Sequence, residues 1–298
     1  MLIAEIRKLL RKKALVLVTA LMFVLPAFWI FTTYNQGVSL ISAGTPYQES
    51  GLSVLEPNRI FSSYMLQMSL SIYIFPLIVS AVLFVIDDIK ERALLQISIS
   101  NRKKWVFVST KIGLYCVYVF LVFLGLFLFT LCASLFLKSV SKDALLAVVD
   151  LTVLASFILN WFGAVTIGAI TIAITYLTGS GIAGNCFIVY LMLERLFTSG
   201  IAISTQSEIL MKLNEFLPWA NLNSLFVYAG NISSLYADVP NTSSYVYLSM
   251  YRLSSYHGSI IAMPFFKPLP TIILICAVYF LFAVILAIYG CNYRLKKM

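Results

Sequence analysis

Six long apolar runs constrain this chain more than any other feature of its sequence. They lie near residues 14–33, 64–86, 112–137, 151–177, 182–203 and 269–291. Because an α-helix rises about 1.5 Å per residue, each run is long enough to cross a hydrocarbon layer of about 30 Å. Only 11% of the 298 residues are charged, which excludes an ordinary soluble domain. We therefore predict an all-α integral membrane protein, with six transmembrane helices in a single transmembrane domain.

The distribution of basic residues predicts which side of the membrane each connecting segment faces. Of the 21 Lys and Arg residues, 14 fall in the segments that would share one side. These segments are 1–13, 87–111, 178–181 and 292–298. Since cytoplasmic loops carry an excess of Lys and Arg, we predict that both termini are cytoplasmic. The net charge of +9 is interpreted as a topology signal and not as a nucleic-acid-binding surface.

The N-terminal segment, MLIAEIRKLLRKK, combines basic residues with apolar residues at helical spacing. Such a pattern predicts an amphipathic helix that lies on the inner membrane surface. A solvated basic tail that only sets topology is the alternative. The apolar run that follows is longer than that of a typical signal peptide, so we interpret it as a retained first span.

The segment 87–111, DDIKERALLQISISNRKKWVFVSTK, places charged ends around an apolar middle between two apolar runs. Ser100 or Asn101 is suited to cap a helix that begins at Arg102 and continues into the third span. We predict a short helix on the membrane surface that docks on a partner. A loop whose bases only meet anionic headgroups is the alternative.

Motifs for chemistry are sparse along the whole chain. There is no G-x-x-x-x-G-K-[ST] sequence for holding nucleotide phosphates, and His257 is the only histidine. The five cysteines include no C-x-x-C pair and none lies in a predicted outer loop. We therefore expect no disulfide, no metal site, no cofactor and no catalytic residue in this chain.

Glu194 and Arg195 are the most informative polar residues inside a predicted span. Ionisable groups at membrane depth are costly, and they usually face a protein interior or a water-filled path. Because adjacent helical residues point about 100° apart, each is expected to find its partner on another helix. We predict that the pair lines or gates a substrate path. The alternative is that the span ends near Leu193 and the pair lies at the outer interface.

The order of these features resembles the permease subunit of bacterial ABC-2 type transporters, of the antimicrobial peptide or antibiotic export or immunity type. The matching features are the basic amphipathic start, the acid-led stretch after the second span and the Lys before the third. The matching positions in that stretch are Glu91, Leu94-Leu95, Asn101-Arg102 and Lys111. The segment 215–226, EFLPWANLNSLF, is similar to the Pro-containing outer segment of these permeases.

This resemblance implies a bacterial plasma-membrane exporter that works by alternating access. A separate ATPase subunit would bind ATP and Mg and dock on the 88–104 region. The coupling residues would be Asp88, Glu91, Leu94, Leu95, Arg102, Lys103 and Lys104. A second permease copy or a homologous permease would complete a dimer, the outer segment 204–268 would contain short re-entrant helices, and the cargo would be an amphipathic peptide or antibiotic. A non-transporting immunity or receptor scaffold and a membrane-embedded enzyme are the alternatives.

Overall fold

Every element described in the computed structural model is helical. The structure describes residues 9, 11–44, 52–55, 60–61, 64, 74–90, 104–137, 151–196, 209, 217–222, 225 and 269–297. Six of its elements are long helices: α1 (Lys13–Ser42), α2 (Ile74–Lys90), α3 (Lys104–Phe136), α4 (Leu151–Thr178), α5 (Gly181–Leu196) and α6 (Leu269–Lys297). A 3-10 helix, Leu52–Leu55, follows α1.

Four helices, α1, α3, α4 and α6, are long and apolar enough to cross a membrane, as is typical of a membrane-embedded protein. Both α2, with 17 residues, and α5, with 16, are shorter. At about 1.5 Å per residue, each of these two described helices covers about 25 Å. The predictions for the second and fifth spans extend into residues 65–73 and 197–203, which lie outside the described residues.

The helix bounds depart from the predicted spans mainly at α1, α2 and α3. Helix α1 continues nine residues beyond position 33, so the predicted outer segment 34–63 begins as helix. The helix continues through Gly37 and ends just before Gly44, whose φ of 90° is suited to glycine. Helix α2 ends at Lys90 rather than near 86, and α3 begins at Lys104. Asp87, Asp88 and Lys90 therefore belong to the last turn of α2, and Lys104 begins the first turn of α3.

Helix α4 is the centre of the bundle. It packs on α2, α3, α5 and most extensively on α6. Of its membrane-length core 72% is buried, against 33% for α1 and α3 and 22% for α6. Small residues permit this contact: a Cβ at Gly168 would clash with the Tyr115 ring, and one at Gly290 would lie 2.7 Å from the backbone N of Leu177. Buried hydroxyls of Thr166, Thr171 and Thr175 donate hydrogen bonds within α4 itself.

Only two residues, Gly179 and Ser180, connect α4 to α5. Gly179 has a φ of 65°, a conformation that residues with a Cβ rarely adopt. The guanidinium of Arg294 on α6 lies over the turn and donates a hydrogen bond to the Leu177 carbonyl at 3.1 Å. The turn is thus held by a third helix.

Side-chain contacts bring the described residues of the predicted cytoplasmic segments to one end of the bundle, called here the basic end. The charged side chains that make these contacts are Lys12, Asp87, Asp88, Lys111 and Arg294. At the opposite end, the Ser134 hydroxyl donates a hydrogen bond to the Leu55 carbonyl at 2.6 Å, and Glu194 contacts Ala220. The side of the membrane that each end faces stays a prediction.

Candidate functional site

A buried ion pair joins α2 to α3 at the basic end. The Nζ of Lys111 lies 2.8 Å from Oδ2 of Asp88, and both side chains are only 2% exposed. Asp88 lies in the last turn of α2 and Lys111 two turns into α3. The same Nζ lies 5.4 Å from the centroid of the Phe107 ring, within cation–π range. The sequence signalled this pair only through Lys111, which matched the late Lys of the permease pattern.

The ion pair holds the ends of these two helices together, because separating them would leave a buried charge without its partner. Removing one partner of a buried pair costs about 3–5 kcal/mol, since the other charge is then buried without compensation. Asp88 and Lys111 therefore fix the end of α2 against the start of α3. Asp88 was predicted as a contact for the ATPase subunit, and that role stays a prediction. The structure places its side chain inside the bundle, paired with Lys111 at 2% exposure.

A second ion pair, at the neighbouring acid, ties the N-terminal segment to α2. The Nζ of Lys12 lies 2.7 Å from Oδ2 of Asp87, and it also donates a hydrogen bond to the Leu83 carbonyl. This pair is more open, with side chains 13% and 31% exposed. Adjacent acids of α2 thus hold two different elements: Asp87 holds the start of α1, and Asp88 holds the start of α3.

The remaining predicted coupling residues are not described. Glu91, Leu94, Leu95, Arg102 and Lys103 lie outside the described residues. Lys104 is the first residue of α3, and its side chain is not described either. Their role as docking contacts stays a prediction.

Glu194 forms a second polar centre at the opposite end of the bundle. It is buried at 5% exposure, near the end of α5. Its Oε1 accepts a hydrogen bond from the backbone N–H of Ala220 at 3.2 Å, and the Trp219 N–H and the Tyr190 hydroxyl also interact with the carboxylate. Its Oε2 is buried without a well-oriented donor in the described part of the chain. The side chain of Arg195 is not described.

The partners of Glu194 belong to the first turn of a short helix that follows Leu217. Pro218 occupies the first helical position, where its missing N–H costs nothing. The next two N–H groups, of Trp219 and Ala220, have no partner within the helix. A carboxylate is well suited to accept their hydrogen bonds and to oppose the positive end of the helix dipole. Glu194 of α5 therefore caps this short helix. The sequence analysis expected a partner on another helix; the partner is a backbone N–H group rather than a side chain.

The same short helix is packed into the bundle. Asn221 Nδ2 contacts the Tyr279 hydroxyl of α6 at 3.3 Å and the Leu217 carbonyl at 2.9 Å. Trp219, Leu222 and Leu225 are buried, in a cluster with apolar residues of four long helices: Ile78, Ile167, Leu191 and Ile272. Sequence analysis did not identify Asn221 or Tyr279. The available signal was the spacing of Trp219, Leu222 and Leu225 after a proline.

The described residues contain no cluster of three or more His, Cys, Asp or Glu side chains suited to a metal ion. All five cysteines are free thiols. No protein-family model matches the chain, and neither curated proteins nor solved structures gave a match.

Proposed function

We propose that this chain is the permease subunit of an ATP-binding cassette exporter in the bacterial plasma membrane. The observation that supports this proposal most is the arrangement around the segment 91–103. Its two flanks, the end of α2 and the start of α3, are locked together by the buried pair Asp88–Lys111. A segment held in this way transmits a push from a docked partner to two helices at once.

The energy source in this proposal is a separate subunit. The whole sequence lacks a phosphate-binding loop of the G-x-x-x-x-G-K-[ST] type. ATP and Mg would therefore bind to the partner ATPase, and this chain would contribute the docking residues Glu91, Leu94, Leu95 and Arg102 with the basic Lys103 and Lys104.

Our topology has six spans, with α2 and α5 added to the four long helices. The basic end faces the cytoplasm because Lys and Arg are retained on that side. Two permease copies, or this chain and a homologous permease, form the transport path between them. The cargo is an amphipathic peptide or antibiotic, which suits a path between apolar helices.

Glu194 and Arg195 belong to that path in our proposal. Burying an ionisable side chain at membrane depth costs free energy, and such residues often mark a substrate path. If Glu194→Gln and Arg195→Gln variants that reach the membrane both transport normally, this assignment is wrong.

A binding experiment tests the proposal at its main consequence. The protein is purified in detergent and used to capture the ATPase subunit encoded nearest to it. We expect the wild type to form a complex and Glu91→Ala/Arg102→Ala to lose it. Lys142→Ala/Asp143→Ala is the matched control, because it removes one acid and one base from a predicted outer segment. Absence of any complex with the wild type would contradict the exporter proposal.

A further inference from the structure

An apolar groove follows the outside of the bundle between α1 and α3, beginning at the basic end. Its volume is about 610 Å³, within the range of about 300–1,000 Å³ that is usual for small-ligand sites. Val16 and Ala20 of α1 line one side, together with Leu9 of the preceding segment, and Val117 and Leu121 of α3 line the other. Phe84 of α2 completes the lining, so the groove is built mainly by α1 and α3, with contributions from α2 and from the segment that precedes α1.

Among the described residues that line the groove, the two with polar side-chain groups, Thr19 and Tyr118, satisfy each other. The hydroxyls of Thr19 and Tyr118 lie 2.8 Å apart. The Thr19 hydroxyl also lies 2.8 Å from the Leu15 carbonyl. Because every other described side chain in the lining is apolar, the groove favours a hydrocarbon chain over a polar ligand.

The groove has the depth of one membrane leaflet. Its lining runs from Leu15 to Phe23 on α1 and from Leu114 to Val122 on α3. Eight residue steps correspond to about 12 Å along each helix, close to half of a hydrocarbon layer of about 30 Å. A path for cargo would have to continue across the membrane, whereas one acyl chain of one leaflet needs only this depth.

Positive charge lies at the end of the groove where a headgroup would sit. Arg11 and Lys13 are exposed, within two turns of Val16. Lys12 between them is directed to Asp87, and the next acid, Asp88, is buried against Lys111. Among the described residues, both acids at this end are thus paired with other bases. Exposed Lys and Arg beside a membrane attract anionic lipid headgroups.

We propose that this groove is a binding site for an anionic phospholipid of the leaflet at the basic end. One acyl chain lies between α1 and α3, and the phosphate lies near Arg11 and Lys13. The site requires only that the protein is embedded in a membrane, so it stands or falls separately from the exporter proposal.

Native mass spectrometry of the full chain, purified in mild detergent, measures this binding directly. The two probes are phosphatidylglycerol and phosphatidylcholine with identical acyl chains. Val117→Trp fills the groove with a larger side chain, and we expect it to weaken binding of phosphatidylglycerol about tenfold. Val278→Trp is the matched control, because Val117 and Val278 are 56% and 55% exposed and Val278 lies on α6 outside the groove. We expect the control to bind as the wild type does.

The headgroup is tested by Arg11→Gln/Lys13→Gln. Each base near a membrane surface is worth about fivefold in affinity, so loss of both should weaken phosphatidylglycerol binding about 25-fold and phosphatidylcholine binding little. Ala20→Leu, a milder filling change, should weaken binding in the same direction if Val117→Trp folds poorly. Equal binding of both lipids by the wild type would overturn the proposal. So would equal losses in Val117→Trp and Val278→Trp, which would indicate non-specific lipid at the apolar surface.

Discussion

Asp88 and Glu194 are both buried carboxylates, but opposite ends of the bundle stabilise them by different means. Asp88 meets the side-chain cation of Lys111 at 2.8 Å. Glu194 instead meets backbone N–H groups, with Ala220 at 3.2 Å. An ion pair joins two long helices directly, whereas the capping interaction holds a short helix against them. An ion pair therefore holds the basic end, and hydrogen bonds from backbone N–H groups hold the opposite end. We expect an uncharged acceptor at position 194 to keep these hydrogen bonds.

The largest expected effect is at the ion pair. Lys111→Met leaves Asp88 buried without this cation and should lower the free energy of unfolding by about 3–5 kcal/mol. Reversible unfolding in mixed detergent micelles measures the change. Adding Asp88→Leu removes the stranded charge, so the double variant should be more stable than Lys111→Met alone. A double variant less stable than the single one would contradict the comparison.

A smaller effect is expected at Glu194, and it should depend on the replacement. Glu194→Leu leaves the N–H groups of Trp219 and Ala220 without an acceptor, which costs about 1–3 kcal/mol. Glu194→Gln keeps an acceptor oxygen and should cost less. Hydrogen–deuterium exchange of a peptide covering 215–226 should become faster in the Leu variant and stay near wild type in the Gln variant. Equal acceleration in both would indicate that the negative charge itself holds the segment.

The smallest effect is expected at the more exposed pair, Lys12–Asp87. Asp87→Asn should cost at most about 1 kcal/mol, because exposed ion pairs are weak. The cost should shrink further as salt is raised, which unfolding at low and high ionic strength would detect. A decrease in the free energy of unfolding as large as that of Lys111→Met would contradict the comparison. It would mean that the more exposed ion pair of Asp87 contributes as much stability as the buried one of Asp88.

The sequence was sufficient for the helical class and for the long apolar helices, because apolar length is a local property. The first and second helices nevertheless extend beyond the apolar runs. Hydropathy detects where the chain becomes polar, whereas a helix can continue through polar residues, as α1 does as far as Ser42.

The polar contacts were harder to predict, since they depend on which helices are neighbours. Asp88 was named as a contact for the ATPase subunit through the permease resemblance, which gave no sign of its pairing with Lys111. Its burial follows from the approach of α3, which brings Lys111 against it. Tyr279 and Asn221, 58 positions apart, carry no local signal of their contact. Glu194 was identified from its cost inside an apolar run, but its capping of Trp219 and Ala220 required the tertiary structure.

The two-residue turn at Gly179 and Ser180 limits how the protein can rearrange. A connector this short leaves α4 and α5 no slack to slide independently, and Arg294 attaches α6 to the same turn. We therefore expect α4, α5 and α6 to move together as one rigid body. The connections between α1, α2 and α3 are longer in sequence, so side-chain contacts such as Lys12–Asp87 and Asp88–Lys111 hold these three helices together instead.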